Sequence, residues 1–289
     1  MKNNTTNIKN AKFVFFGTDE LAVICIRTLK EAGLVPSLIV TTPDRPAGRK
    51  LHLTPPPVKV WAETSGISVT QPENLKEVPA ELKTGKFLFG IVASYGQIIP
   101  QAVIDLFPKG LLNIHPSLLP RFRGATPLES AILSADEKTG VTIMLLDKEM
   151  DHGPILARKE TTLDNKNYLD LRQELSECGA NLVSQVLPLW LEDKIEPQEQ
   201  NHDLATYTKK LTKTDGEISL DDDPILNHKK IRAFCDWPVA YFFVNKGDKD
   251  IRVKVTQAHL DLETSELVLD KVIPEGRREM KWEDFKRGL

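Results

Sequence analysis

Short apolar runs alternate with amphipathic stretches through the first half of the chain. Lys12–Gly17 (KFVFFG), Ser37–Thr42 (SLIVTT), Phe87–Ser94 (FLFGIVAS), Gly110–His115 (GLLNIH) and Val141–Leu146 (VTIMLL) have strand length and little polar interruption, the pattern of strands buried on both faces. Between the first two, Leu21, Val23, Ile24, Ile26 and Leu29 recur at helical spacing, with Thr18 or Asp19 able to cap the start and Gly33 to end it. A proline-rich loop follows the second run, and Pro55–Pro57 open a helix over Val58–Glu63. Gln97–Asp105 and Thr126–Leu133 read as further short helices. This rhythm predicts an α/β fold of the Rossmann-like kind, a doubly wound and mostly parallel sheet.

The pattern changes after residue 166. From Asn167 to Leu191 a long helix is predicted, with Leu169, Leu171, Leu175, Leu182, Val186 and Leu189 on or near one face. Lys194–Lys213 is polar without a clear period and reads as a linker. A short helix over His228–Phe234 and strands over Ala240–Val244, Ile251–Val255 and Glu266–Val272 then predict a small β-rich, barrel-like domain. The expected division is 1–193, a linker over 194–213, and 214–289.

Composition narrows the class. Of the 289 residues 40% are apolar, enough for a sizeable core, and the net charge of −3 excludes a uniformly basic coat while leaving room for a local basic surface. The three cysteines, Cys25, Cys178 and Cys235, are odd in number and scattered, which fits a reducing compartment better than a disulfide framework. The opening MKNNTTNIKNA lacks the apolar centre of a signal peptide, and no apolar run reaches the roughly 18 residues of a membrane span. A cytoplasmic location without membrane association is expected.

Candidate chemistry is selective. The first strand–helix turn, FFGTDELA, contains Gly17 alone, whereas a dinucleotide fingerprint needs three glycines, so a nicotinamide oxidoreductase is disfavoured. The six histidines show no metal-binding spacing and no Cys-x-x-Cys occurs, so no metal is expected. Asn113 and His115, two apart at a strand end, project from one face and can together donate to an oxyanion and move a proton. On spacing alone, the plainer assignment, an asparagine satisfying a turn and an ordinary strand-end histidine, is slightly favoured. Asp147 or Asp151, after the VTIMLL run, can orient His115 or hold a water beside it, or simply cap a turn. Arg45, Arg49 and Lys50 lie in a long loop and can either meet phosphates or be solvated.

Taken together, FFGT, DRPAGR with LTPPPVKVWAE, SYGQIIP, NIHPSLLPRFRGATPLESAIL and GVTIMLLDKEMDHGPIL resemble the methionyl-tRNA formyltransferase family, and LATYTKKLTKTDGEIS with IRAFCDWPVAYFF extends the likeness to about residue 255. The Asn-x-His-x-Ser-Leu-Leu-Pro stretch by itself marks the wider formyltransferase superfamily. The resemblance implies formyl transfer from 10-formyltetrahydrofolate, a co-substrate, to the α-amino group of methionine on initiator tRNA, without a metal; a monomer is expected. It implies Asn113, His115 and Asp151 as the catalytic trio and Ser117, Leu118, Leu119 and Pro120 as the folate-binding stretch. It further implies Arg45, Arg49, Lys50, Lys209 and Lys210 as tRNA-binding residues.

Two departures stand out. Lys50-Leu51-His52 follow DRPAGR where the family continues with glycine and more basic residues. The last segment is also shorter than the family's OB-type barrel, and its sixteen Lys/Arg from Lys209 onward balance sixteen Asp/Glu. An N-formyltransferase acting on a small amine, such as an amino sugar nucleotide, is the competing expectation. An RNA-binding module with an inert catalytic half is a third.

Overall fold

A computed structural model describes residues 11–48, 51–134, 136–247 and 249–289. Its elements are β1 (Phe13–Gly17), α1 (Glu20–Glu31), β2 (Leu38–Val40), β3 (Arg45–Ala47), β4 (His52–Thr54), α2 (Pro57–Thr64), β5 (Val69–Thr70), α3 (Ala80–Thr84), β6 (Phe89–Ala93), α4 (Gln101–Ile104), β7 (Leu111–His115), α5 (Pro127–Leu133), β8 (Lys138–Leu145), β9 (Ile155–Thr162), α6 (Tyr168–Leu191), α7 (Pro224–Ala233), β10 (Tyr241–Lys246), β11 (Lys249–Leu260), β12 (Leu267–Pro274), β13 (Met280–Lys281) and α8 (Trp282–Lys286). They form two compact units. One comprises the chain up to Ala125 with Thr139–Thr161 and Arg172–Tyr207; the other comprises Thr126–Lys138, Thr162–Leu171 and Thr208–Leu289.

The first unit is the expected doubly wound sheet, in the order β5-β2-β1-β6-β7-β8-β9. β5, β2, β1, β6 and β7 run parallel, and β8 pairs antiparallel to β7. The central strands are apolar throughout because both faces are covered. Val14, Phe16, Val92 and Leu111 pack with Leu82 of α3 and Val103 and Ile104 of α4. Opposite, α6 approaches so closely that a Cβ on Gly179 would lie 2.4 Å from Ile114. Phe13 and Phe89 stack across β1 and β6 at 5.0 Å. Burying a side chain of this size contributes about 1.5–3 kcal/mol.

The chain order reverses between β1 and β6, where Thr18 Oγ1 donates to the Tyr95 carbonyl and Ser94 Oγ to Asp19. Asp19 is the N-cap of α1, accepting from Ala22 N. Crevices at such reversals, outside the carboxyl ends of the strands, are where open α/β sheets hold ligands.

The second unit contains a four-stranded antiparallel sheet, β10-β11-β12-β13. Phe242, Val253, Val255 and Val272 form its core with Ile231 of α7 and Phe285 of α8.

Several expectations need correction. The helix expected over Gln97–Asp105 shrinks to α4, because Gly96 turns the chain with φ 79° and Pro100 is the residue before the first helical turn. β9 was not predicted: as the edge strand it exposes Arg158, Lys159 and Glu160 and so lacks a continuous apolar run. The loop around Arg45 contains the β3–β4 hairpin. α7 begins at Pro224, not at His228, since Asp223 caps it through Ile225 N and proline suits the first turn. The stretch Lys194–Lys213, read as a linker, holds a 3-10 turn over His202–Leu204 and bridges pairing Gln198 with Ile155 and Tyr207 with Arg123.

Candidate active site

β7 ends the parallel part of the sheet, and its alternation places Asn113 and His115 on the Leu111 face, with Ile114 turned toward α6. Both are buried, at 8% and 4% exposure. The connection between β8 and β9 brings a carboxylate to them. Asp151 Oδ1 lies 3.3 Å from Asn113 Nδ2 and 3.6 Å from His115 Nδ1, while Asp151 Oδ2 accepts from Gly124 N at 2.8 Å. Asp147 does not join them; it accepts from Glu149 N and pairs with His152 at 2.7 Å. Of the two acids, Asp151 is the one that lies beside Asn113 and His115.

The other ring nitrogen of the histidine determines its state. His115 Nε2 lies 3.0 Å from the Phe122 carbonyl. A carbonyl only accepts, so Nε2 carries a proton, and Nδ1 is the ring nitrogen that faces Asp151. A proton arriving at Nδ1 would stand between two acceptors, ring and carboxylate. Asn113 has two N–H groups and Asp151 occupies one, leaving the second for a developing oxyanion.

The residues after β7 are folded tightly. Ser117 Oγ donates to the Arg121 carbonyl at 2.6 Å, so this hydroxyl is already partnered. Thr142 Oγ1 accepts from Leu119 N and donates to the Ser117 carbonyl. Leu119 packs on Met144 and Ile155, while Leu118 and Pro120 stay half-buried. The stretch thus offers Leu118, Pro120 and backbone rather than the side chains of Ser117 and Leu119.

The expected nucleic-acid contacts divide. Arg45 is exposed on β3 and paired with Glu73 at 2.7 Å. In the same loop Asp44 accepts from Gln71 and Lys59, which hold its carboxyl below the usual carboxylate range. Arg49 and Lys50 lie outside the described residues. Lys209 and Lys210 are exposed and belong to the second unit, where the Lys209 carbonyl accepts from Thr126 Oγ1.

Sequence reasoning passed over Arg123, Gln200, Thr206 and Tyr207. Thr206 receives Phe122 N on its hydroxyl and Arg123 N on its carbonyl, joining a supposed linker to the strand-end loop. The contacts are non-local, and the polar 194–213 stretch has no period that would reveal them. Among the described residues no group of His, Cys, Asp and Glu is placed to hold a metal ion, and no helix is long and apolar enough to cross a membrane.

Comparison with known proteins identifies both units. A family model described as "Formyl transferase" matches residues 11–187, and one described as "Formyl transferase, C-terminal domain" matches 210–267. The methionyl-tRNA formyltransferase of Chloroflexus aurantiacus is 45% identical over 236 residues, covering 80% of this chain and 76% of the relative. That of Bacillus licheniformis is 35% identical over 302 residues, covering 96% and 95%. Among solved structures, the methionyl-tRNA formyltransferase of Clostridium thermocellum superposes with a TM-score of 0.59 at 18% identity, covering 91% of this chain and 98% of that one.

Proposed function

This chain belongs to the formyl transferase family, within it to the methionyl-tRNA formyltransferases, and we propose that it transfers the formyl group of 10-formyltetrahydrofolate to the α-amino group of methionyl initiator tRNA. One observation supports the chemistry above others: the Asp151 carboxylate stands beside both the Asn113 amide and Nδ1 of His115.

The reaction forms a bond from the amine nitrogen to the formyl carbon, breaks the bond from that carbon to the folate nitrogen, and moves one proton from the first nitrogen to the second. The free N–H of Asn113 donates to the formyl oxygen as it gains negative charge, a contact worth about 3–4 kcal/mol in sites of this kind. His115 Nδ1 receives the amine proton and returns it to the leaving nitrogen. Asp151 steadies the imidazolium formed in between, and the Phe122 carbonyl holds the opposite N–H so that the ring cannot turn away. Leu118 and Pro120 line the folate side. Arg45 on the hairpin, with Lys209 and Lys210 of the second unit, meets tRNA phosphates. The protein works in the cytoplasm as a monomer.

Formyl transfer by the purified chain, with methionyl-tRNA and an amino sugar nucleotide offered as competing acceptors, tests the reading. Formylmethionyl-tRNA is the expected product. Transfer to the sugar alone, or to neither, overturns it.

A further inference from the structure

Asp151 is held at a backbone φ of 49°, a left-handed conformation that costs a non-glycine residue free energy unless its surroundings impose it. The imposing group is a glutamine 49 residues on. Gln200 is 4% exposed, and its Nε2 donates both to the Asp151 carbonyl at 2.9 Å and to the Gly153 carbonyl at 2.8 Å, bracketing the turn that presents the carboxylate. Its Oε1 accepts from Arg123 twice, from Nη2 at 2.7 Å and Nε at 3.3 Å. A guanidinium only donates, so the carboxamide can face one way only: oxygen to Arg123, both N–H groups to the turn.

Arg123 is 1% exposed, and its other partners are neutral: Tyr207 Oη at 3.2 Å and His202 Nδ1 at 2.9 Å, the latter necessarily unprotonated where it accepts from a guanidinium. His202 stacks flat on His152 at 4.0 Å, and His152 pairs with Asp147, so the same array reaches the turn from its other end. The next residue, Gly124, donates to the Asp151 carboxylate itself. Among the described residues no carboxylate pairs with Arg123, and a buried cation without one is expensive to retain. Its geometry serves to orient Gln200.

We propose that Gln200 is a positioning residue for formyl transfer, fixing Asp151 against Asn113 and His115, with Arg123 as the buried cation that sets the direction of its carboxamide. The inference rests on the role given to Asp151 above.

Gln200→Glu is the decisive variant. A glutamate keeps the length and offers Arg123 a carboxylate, which preserves the anchoring, but it cannot donate to the two carbonyls. The expected result is a folded enzyme with a melting temperature lowered by several degrees, an unchanged folate KM and a kcat reduced about tenfold, as misplacement of a reacting group produces. In an Asp151→Asn background the same change should alter kcat by less than about twofold, since contacts acting through one residue are not additive. Hydrogen exchange of residues 147–154 should rise in Gln200→Glu whether or not activity is measured.

A kcat within about twofold of the parent, a full loss persisting in Asp151→Asn, or unchanged exchange over 147–154 overturns the inference. Gln200→Asn, which keeps the amide but is one methylene too short, is read by the same criteria if Gln200→Glu does not fold. An inactive parent with raised exchange in the variant counts against the proposed function, not against the positioning.

Discussion

The two nitrogens of His115 face different kinds of acceptor, and that asymmetry organises the site. A carbonyl on Nε2 holds a proton there, so in the proposed reaction the base is Nδ1 and the carboxylate that stabilises its protonated form is Asp151. Removing the amide of Asn113 deletes the proposed oxyanion donor and one hydrogen bond to Asp151, which keeps its contacts with Gly124 N and His115. Asn113→Ala should therefore lower kcat about 10²–10³-fold with little change in folate KM, measured by steady-state kinetics. A second histidine has a different consequence. His228 on α7 is half-buried, and burial together with Arg232 and His259 holds its pKa below 6.5. The unfolded chain then binds more protons than the folded one just below pH 6.5, so this group favours folding above that pH and opposes it as the pH falls. Melting temperature should drop between pH 6.5 and 5, and His228→Gln should flatten the drop.

At the scale of elements, the β8–β9 connection has little freedom. A Cβ on Gly153 would lie 2.1 Å from the Leu145 carbonyl oxygen, and the Gly153 carbonyl is one of the two that Gln200 holds. Backbone on one side and a buried hydrogen bond on the other leave no direction in which the turn can give. Gly153→Ala should cost about 2–4 kcal/mol and several degrees in melting temperature, with kcat falling because Asp151 moves with the turn; calorimetry and kinetics on the same preparation check both. The β3–β4 hairpin is the opposite kind of element. The residues of both strands are exposed, including Leu53 at 70%, and the Arg45 side chain forms an exposed pair with Glu73. Such a pair contributes little to stability. Arg45→Ala should leave the melting temperature unchanged and raise the KM for tRNA by several-fold while the KM for folate stays constant.

For the whole molecule, a net charge of −3 means that any hold on tRNA is built from local clusters, not from an overall field. Its apparent affinity should fall steeply as salt is raised from about 50 to 200 mM, while that for folate changes little. Equal sensitivity of the two would remove the phosphate contacts from the account.

What could be read from the chain follows the same physics. The alternation of buried strands and amphipathic helices was legible because a covered parallel strand must be apolar on both faces, and Asn113 and His115 stood out as polar residues ending such a strand. β9, as an edge strand, carries charges and left no such trace.

The amino-acid sequence alone determined the doubly wound sheet, the position of Asn113 and His115 at the end of β7 and the family likeness, since burial and period are properties of neighbours along the chain. Only the tertiary structure showed Asp151 beside Asn113 and His115, where the family likeness had already pointed, assigned a proton to His115 Nε2 and brought Arg123 and Gln200 against the Asp151 turn. Those outcomes depend on hydrogen bonds between residues 7 to 77 positions apart, and no local pattern encodes which donor will meet which acceptor.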